Sequence, residues 1–187
     1  MFNFVHSNDL PVVEYLMKIS AGGCYFAGGA CLAWYQHCQT KSDIDVYFND
    51  EKYWQRTVQI IKNDSKFNPA MTHSTVNAAT FNMSYNCQAW KVQLIRKNFY
   101  QKIEHVIDDF DISVCKIAFD GNRVVMGPTF ARDVANRVLR FDKISPQSHK
   151  RLIKYMCYGY RPLDNTIENL VNSLDIDWEA TGTDHYA

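Results

Sequence analysis

The sequence predicts an α/β (α+β) domain with one central mixed β-sheet that is flanked by helices. Three observations support this fold class. Helical and strand-like patterns alternate in the first half of the chain, several strands follow, and the C-terminal part is helical. The length of 187 residues fits one domain with a small helical appendage, and the hydrophobic fraction of 47% is enough to form a core.

The first half of the chain alternates helices with strands. Apolar residues spaced three or four apart predict the helices, and alternating or continuous apolar runs predict the strands. The predicted elements are a helix at 11–19, a strand at 24–27, a helix at 30–37, a strand at 43–48 and a helix at 51–62. Pro11 lies in the first turn of the first helix, where its missing N–H is tolerated.

The second half contains further strands and then a helical region. The segment 63–88 is rich in Asn, Ser and Thr and predicts loop with one or two strands near 78–83. The later predicted elements are a strand at 90–95, a helix at 100–107, strands at 112–119 and 123–126, and helices within 129–160 that are interrupted near Ser145–Pro146. Asp120-Gly121 is typical of a hairpin turn. The core stripe of the last helix is expected to be Leu152, Ile153, Met156, Cys157 and Tyr160.

Charge divides the chain into three segments. We expect a core at 1–128, a basic helical segment packed on it at 129–161, and an acidic C-terminal tail at 162–187. Residues 132–161 carry eight basic and two acidic side chains, a net charge of +6, whereas the tail carries six acids and no Lys or Arg. The basic segment is as consistent with a phosphate-binding surface as with a solvated helix face.

Several classes of protein are disfavoured by the composition. The chain has no apolar run of about 18 residues and no basic region followed by an apolar stretch at its start, so we expect neither a membrane span nor a signal peptide. The six cysteines form no Cys-x-x-Cys pair and match no zinc spacing, which favours buried, inert thiols. Cys31 and Cys38, seven residues apart in a predicted helix, are expected to share a face. We expect a cytoplasmic protein.

Two glycines and two aspartates carry the candidate chemistry. Gly28 and Gly29 precede a predicted helix, where a backbone without side chains approaches phosphate closely. Asp43 and Asp45 lie two residues apart on a predicted strand, so both carboxylates leave the same face. Two carboxylates on one rigid face are able to hold one or two divalent cations.

A third carboxylate would complete a site for nucleotidyl transfer. In that reaction a hydroxyl attacks the α-phosphorus of a nucleotide, pyrophosphate leaves, and two metal ions stabilise the apical oxygens. Asp111 opens the predicted 112–119 strand, where a buried and unpaired carboxylate would be costly. A site at the strand's end would explain it. Asp109 lies on the same face and is the alternative, whereas Asp108 points the other way.

These residues resemble the DNA polymerase β-like nucleotidyltransferase superfamily over roughly residues 20–120. The resemblance rests on a Gly-Gly turn before a helix, an Asp-x-Asp strand and a later strand with a single Asp. The segments that carry it are Phe26-Ala27-Gly28-Gly29-Ala30 and Ser42-Asp43-Ile44-Asp45-Val46-Tyr47-Phe48. Segments 110–115 and 150–155 are also similar to small members from tailed-phage genomes.

The resemblance implies a nucleotidyltransferase fold and a set of functional residues. Two Mg²⁺ ions, for which Mn²⁺ would substitute, are implied at three ligands, Asp43, Asp45 and Asp111. Asp111 would also help to deprotonate the attacking hydroxyl. The residues expected to bind the nucleotide, ATP or another NTP, are Gly28, Gly29, Ala30, Lys150 and Lys154. For the two lysines a purely solvated role is the alternative.

Three functions follow as hypotheses. The first is a nucleotidyltransferase that moves an NMP from an NTP to a hydroxyl of an RNA, protein or small-molecule acceptor. The second is a catalytically inactive relative that binds a nucleotide or a host protein. It is motivated by Ala30, where many members have Ser, and by 31–34, where the tRNA CCA-adding branch has Arg-Asp. The third is an RNA-binding module that uses the basic helices and loses affinity steeply with salt.

Overall fold

The computed structural model describes residues 3–174, which form two compact units. Within this range the first unit comprises residues 3–110 and 115–128, and the second comprises residues 111–114 and 129–174. The acidic tail is therefore described only as far as residue 174. The segment boundaries expected at 128 and 161 stay predictions.

A seven-stranded mixed sheet forms the centre of the first unit, which confirms the predicted fold class. Its strands are β1 (Cys24–Ala27), β2 (Ile44–Phe48), β3 (Ala70–Ser74), β4 (Ala78–Tyr85), β5 (Gln88–Phe99), β6 (Ile117–Phe119) and β7 (Val124–Met126). Their order is β3-β4-β5-β2-β1-β6-β7. β2 and β5 pair in parallel, and the other neighbours pair antiparallel.

Four helices belong to the same unit as this sheet. They are α1 (Leu10–Ile19), α2 (Gly29–Tyr35), α3 (Glu51–Asn63) and α4 (Ile103–Asp108). α2 and α3 contact β2, whereas α4 contacts β1, β6 and β7. The residues of α4 join an apolar cluster with Tyr25, Ala27 and Ala118 of the sheet. Side chains of β1 and β6 on one face of the sheet are thus covered by α4.

Burial alternates along β2 and separates a core face from a polar face. Ile44, Val46 and Phe48 are fully buried, whereas Asp45 and Tyr47 are partly exposed. This alternation is what a strand with one packed face requires. The face that carries Asp45 is therefore the one available to a ligand.

A buried carboxylate joins three parts of the first unit. Asp9 directly precedes α1 and is fully buried. Its Oδ2 accepts hydrogen bonds from Trp34 Nε1 and from the backbone N–H of Thr40, both at 2.9 Å. Its Oδ1 accepts a hydrogen bond from Trp90 Nε1 at 3.0 Å. The start of α1, α2 and β5 are therefore held together by one side chain.

The second unit contains three helices and a small sheet. Its elements are α5 (Phe130–Ala135), β8 (Val138–Leu139), α6 (Ser148–Cys157), β9 (Arg161–Pro162) and α7 (Asp164–Leu174). β8 and β9 pair in parallel. The helical region predicted at 129–160 is thus interrupted over 136–147, which is longer than the sequence pattern indicated.

The strand predicted at 112–119 is wrong in its first half. Residues Ser113–Cys115 form a 3-10 helix, and β6 begins only at Ile117. The reason is that residues 111–114 belong to the second unit, where Ile112 forms a β-bridge with Phe141 and Ser113 N–H donates to the Arg140 carbonyl. Asp111 therefore does not open a strand.

The core stripe predicted on the last helix is also wrong for several residues. Ile153 and Met156 are 62% and 46% exposed, and Cys157 is exposed as well. The buried side chains of α6 are instead Ser148 and Tyr155. α6 is thus held both by the burial of Tyr155 and by the polar contacts of Ser148 and Arg151 that are described below.

The described residues contain neither a disulfide nor a helix that could span a membrane. None of the six cysteines, all of which lie there, forms a disulfide; Cys24, Cys31 and Cys115 are buried and the other three are exposed. Cys38 lies beyond the end of α2, so it does not share a helix face with Cys31. Among residues 3–174, no helix combines the length and the hydropathy of a membrane span.

Candidate active site

The two aspartates of the Asp-x-Asp motif lie on the polar face of β2. Asp45 is within the strand, where its Cα pairs with Ala27 on one side and Gln93 on the other. Asp43 lies one residue before the strand begins. Because the fully buried Ile44 separates them and side chains alternate along a strand, both carboxylates lie on the open side.

The glycine turn lies directly beside one of these carboxylates. Gly28 has φ +74° and ψ −137°, a conformation that L side chains rarely adopt. A Cβ at Gly28 would lie 3.8 Å from Asp45 Oδ2 and 3.1 Å from the Phe110 ring. The structure thus brings the Gly-Gly turn and the Asp-x-Asp strand together.

Not all backbone groups of this turn are available to a ligand. Gly28 N–H donates a hydrogen bond of 3.1 Å to the Ile117 carbonyl, so it is committed to the fold. Gly29 and Ala30 occupy the first two positions of α2, where N–H groups have no acceptor within the helix. The Ala30 side chain is fully buried. Of these two residues only Gly29 is partly exposed, so a phosphate contact at this turn would use the Gly29 amide first.

Aromatic side chains border the glycine turn. The Phe110 ring packs against Gly28, and its centroid lies 6.0 Å from that of Tyr47. Tyr47 in turn lies 5.9 Å from Tyr100. These rings extend the apolar cluster that α4 forms on the sheet. They give the polar face a hydrophobic border next to Asp45.

A lysine that the sequence did not single out completes the polar face. Lys91 Nζ lies 3.0 Å from Asp43 Oδ2, and the two side chains are 53% and 37% exposed. Lys91 and Asp43 each precede the Ile44–Val92 pair of the parallel strands by one residue. The alternation of Trp90-Lys91-Val92-Gln93 placed Lys91 on a polar face, but the pairing of β5 with β2 has no signal in the sequence.

Asp109, the alternative third carboxylate, contacts side chains of the first unit. Its Oδ2 accepts hydrogen bonds from the Tyr100 hydroxyl and from Asn98 Nδ2, the latter at 2.9 Å. Burial, reinforced by the hydrogen bond to Asp109, raises the pKa of Tyr100 to about 12. Tyr100 is thus a protonated donor that holds Asp109 near the C-terminus of α4.

Asp111, the first candidate for the third carboxylate, is held within the second unit. The residue is only 1% exposed. Its Oδ2 accepts hydrogen bonds from Ser148 Oγ at 2.7 Å and Ser145 Oγ at 3.0 Å. Its Oδ1 lies 2.7 Å from Arg151 Nη1. These contacts attach the start of α6 to Asp111, and the role of Asp111 as a metal ligand stays a prediction.

The basic residues of the second unit are partly neutralised inside that unit. Arg132 and Arg140 lie 3.4 and 3.2 Å from the carboxylate of Asp133, which is buried. Although burial raises the pKa of Asp133, the nearby polar groups of Ser113 and Thr129 and the hydrogen bond from Arg140 hold it below its usual value. Arg132, Arg140 and Arg151 thus each lie within ion-pair distance of a buried carboxylate of this unit. Lys150 and Lys154 have exposed side chains on α6.

The aspartate pair has the chemistry of a magnesium site. Mg²⁺ in proteins is commonly held by one or two carboxylates, with phosphate and water oxygens as the other ligands. Asp43 and Asp45 provide two carboxylates on one face, and both are partly exposed. In the part of the chain that the structure describes, no group of three or more His, Cys, Asp or Glu is close enough to hold a metal. Asp43 and Asp45 thus offer the carboxylate oxygens that a nucleotide-bound Mg²⁺ would need.

The fold is that of solved nucleotidyltransferases. A CCA-adding enzyme in complex with ATP has a TM-score of 0.64 and 13% identity over 92% of this chain and 44% of that chain. A CCA-adding enzyme in an apo form has a TM-score of 0.59 and 11% identity over 92% of this chain and 46% of that chain. A tRNA-processing enzyme complex has a TM-score of 0.55 and 14% identity over 88% of this chain and 46% of that chain. The chain spans less than half the length of each of these structures. At these identities the likeness shows the fold alone.

A family model assigns the chain more narrowly. Residues 2–137 match the Gabija anti-defense 2 (Gad2) family, and the protein belongs to this family. The matched range contains the glycine turn, both aspartates of the Asp-x-Asp motif and Lys91, whereas Lys150 and Lys154 of α6 lie beyond it. No curated protein matches the sequence.

Proposed function

We propose that the protein is a Mg²⁺-dependent nucleotidyltransferase of the DNA polymerase β-like superfamily, encoded by a phage and active in the host cytoplasm. It would transfer an NMP from an NTP to a hydroxyl group of an acceptor and release pyrophosphate. One observation carries the proposal: Asp45 Oδ2 lies 3.8 Å from the Cβ position of Gly28. A carboxylate suited to a cation thus lies beside a turn suited to phosphate, within a nucleotidyltransferase fold.

Each residue of the polar face has a role in this proposal. Asp43 and Asp45 would hold the ion, which supplies positive charge to the triphosphate and to the leaving pyrophosphate. The partly exposed amide of Gly29 would bind a phosphate oxygen, and the amide of Ala30 would do so only after a local movement that exposes it. A second ion would require a further acid such as Asp111, whose carboxylate would first have to give up Arg151 and two serine hydroxyls.

The family suggests the class of acceptor. Because the chain belongs to a Gabija anti-defense family, the acceptor would be a component of that defence, either a protein or a nucleic acid that it uses. Modification of such a component would inactivate it with one transferred nucleotide. The overall formal charge of zero favours a compact acceptor. A long nucleic-acid acceptor would need a partner protein to bind it.

The proposal is tested by label transfer. Purified protein, Mg²⁺ and each α-labelled NTP are incubated with the purified components of the Gabija system and, separately, with total RNA. We expect label on one acceptor with wild type and with Glu14→Gln, a matched loss of an exposed acid on α1. We expect at least about a 100-fold lower rate with Asp45→Asn, as for loss of a transition-state charge contact. Equal labelling by wild type and Asp45→Asn would refute the proposal.

A second candidate is a binding protein without catalysis. The ion pair of Lys91 with Asp43 supports it, because a cation already occupies one carboxylate. The buried Ala30, which replaces a phosphate-contacting Ser of many relatives, supports it too. For such a protein, Asp43→Asn and Asp45→Asn would leave protection against the defence system intact in cells, and no NTP would label an acceptor.

A further inference from the structure

An ion pair with Lys91 occupies one of the two carboxylates that are proposed to bind the metal ion, Asp43. Lys91 Nζ is 3.0 Å from Asp43 Oδ2, in direct competition with any cation that this oxygen would bind. The register of the sheet fixes this proximity, because Lys91 is one residue before Val92 and Asp43 is one residue before its partner Ile44. The contact therefore results from parallel strand pairing.

We propose that Lys91 is a phosphate-contacting residue that exchanges partners when nucleotide binds. In the nucleotide-free protein its ammonium group neutralises Asp43. When a cation and a triphosphate enter together, Asp43 binds the cation and the ammonium group moves to a phosphate oxygen. This inference rests on the proposed nucleotidyltransferase function and adds a specific residue to its nucleotide site.

The physical properties of the pair allow this exchange. Lys91 is 53% exposed, and its ammonium is a compact charge on a flexible four-carbon stem with three donors. Ion pairs with this exposure contribute little to stability, so the pair separates at small cost. A lysine also binds phosphate well as a point charge. Within β4 and β5, its neighbours on the polar face are Asn82, which pairs with it, and Gln93, two residues further on, and both are uncharged.

The charge of the site explains why the exchange would couple the two ligands. Asp43, Asp45 and Lys91 together carry one net negative charge, and a divalent cation changes this to one net positive charge. Without Lys91 the occupied site would be neutral toward an incoming triphosphate. Lys91 thus weakens cation binding alone and strengthens nucleotide binding once the cation is present, so the two ligands would bind cooperatively.

The experiment measures Mn²⁺ binding to the full chain by electron paramagnetic resonance, with and without α,β-methylene-ATP. Lys91→Gln removes the ammonium group. Lys97→Gln is the matched control, because it is an exposed lysine of the same strand six residues away, about 20 Å along β5. Binding is read without turnover, and the nucleotide affinity is measured at saturating Mn²⁺.

We expect Lys91→Gln to bind Mn²⁺ about two- to fivefold more tightly than wild type when nucleotide is absent. We expect it to bind the nucleotide analogue about fivefold more weakly, the scale of one solvent-exposed charge contact. Lys97→Gln should match wild type in both measurements. Opposite changes in the two affinities would not arise from a structural role of Lys91.

Two outcomes would overturn the inference in different ways. If Asp45→Asn abolishes Mn²⁺ binding but Lys91→Gln leaves both affinities unchanged, the exchange is wrong and the proposed function stands. If wild type binds no Mn²⁺ even with the nucleotide analogue, both the exchange and the metal-dependent function are wrong. In that case Lys91 would permanently replace the cation, as expected of the non-catalytic binding protein.

Discussion

Arg151 lies 2.7 Å from Oδ1 of Asp111, a carboxylate that is almost completely buried. Arg151 itself is 43% exposed, so the pair is accessible to water from one side. Ser145 and Ser148 donate hydrogen bonds to the other carboxylate oxygen. Asp111 therefore fixes the start of α6 through three side chains.

The first prediction concerns the stability of this attachment. Arg151→Ala should lower the free energy of unfolding by about 1–3 kcal/mol, because it leaves a buried carboxylate without its counter-ion. The value is below the range for fully buried pairs because water partly screens Arg151. Urea unfolding monitored by circular dichroism measures it. Lys154→Ala, an exposed lysine on the same helix, should stay within about 0.5 kcal/mol of wild type.

The second prediction separates a structural role of Asp111 from metal binding. Asp111→Asn should destabilise the protein by about 2–4 kcal/mol. The amide carries no charge to pair with Arg151, and it has one oxygen instead of two to accept hydrogen bonds from Ser145, Ser148 and Arg151. If Asp111 served only as a metal ligand, its substitution would leave the stability of the metal-free protein unchanged or raise it. The measurement pairs urea unfolding without metal with Mn²⁺ titration. A stable variant with strongly reduced Mn²⁺ affinity would show that Asp111 is a ligand.

The third prediction concerns the buried carboxylate of the first unit. Asp9→Asn should lower the free energy of unfolding by about 2–4 kcal/mol. The three N–H donors use both oxygens of the carboxylate, whereas an amide has only one acceptor oxygen. Its NH₂ group would face the indole N–H of Trp34 or Trp90. Thermal unfolding and the fluorescence of both tryptophans would report the change. Glu14→Gln on the exposed side of α1 is the control, and equal stability of the two variants would contradict the prediction.

The fourth prediction compares two glycines with almost the same φ. Gly28→Ala should cost about 2–4 kcal/mol, because it combines a strained φ of +74° with a Cβ only 3.1 Å from the Phe110 ring. Gly22→Ala, at φ +73° with nothing within 4 Å of the added Cβ, should cost only about 1 kcal/mol. Chemical denaturation of both variants measures the difference. If the two costs are equal, crowding by Phe110 is not what requires glycine at position 28.

Much of the first unit could be predicted because its signals are local. The strand at 24–27 matches β1, which lies between two Gly-Gly pairs. The helix at 51–62 matches α3 to within one residue, because its apolar residues recur at helical spacing. The fold class followed from the order of such elements. The same local alternation placed Asp45 on an open face of β2, as the structure has it.

The failures have a common physical cause, which is pairing between distant segments. The sequence pattern predicts that the strand begins at residue 112, but residues 111–114 join the second unit through backbone contacts with Arg140 and Phe141. α6 buries Ser148 because a hydroxyl there bonds to Asp111, and this turns Ile153 toward solvent. Lys91 meets Asp43 only because β2 and β5 pair in parallel. Hydrophobic periodicity along the chain contains none of this information.

The fifth prediction concerns stability at alkaline pH. Burial raises the pKa of Cys24 to about 12, against an ordinary value of 9.0, and a hydrogen bond with Ser20 opposes the shift in part. The folded state therefore keeps a proton that the unfolded state loses between these values. The stabilising contribution of the protonated thiol is full below pH 9 and is lost as pH rises through about 12. The free energy of unfolding should fall by about 1 kcal/mol per pH unit in this window.

Urea unfolding at pH 8, 9, 10 and 11 in the presence of a reductant measures this slope. Cys24→Ala should lower stability at pH 8, where the thiol is protonated, because it removes buried volume. Its slope above pH 9 should be shallower than that of wild type, so the difference between the two proteins should shrink as pH rises. A residual slope is expected from Cys31 and Tyr100, whose pKa values are also raised by burial. Cys38→Ala, at an exposed position, should keep the wild-type slope. If Cys24→Ala also keeps it, ionisation of Cys24 is not coupled to unfolding, and the alkaline loss arises from the other buried groups.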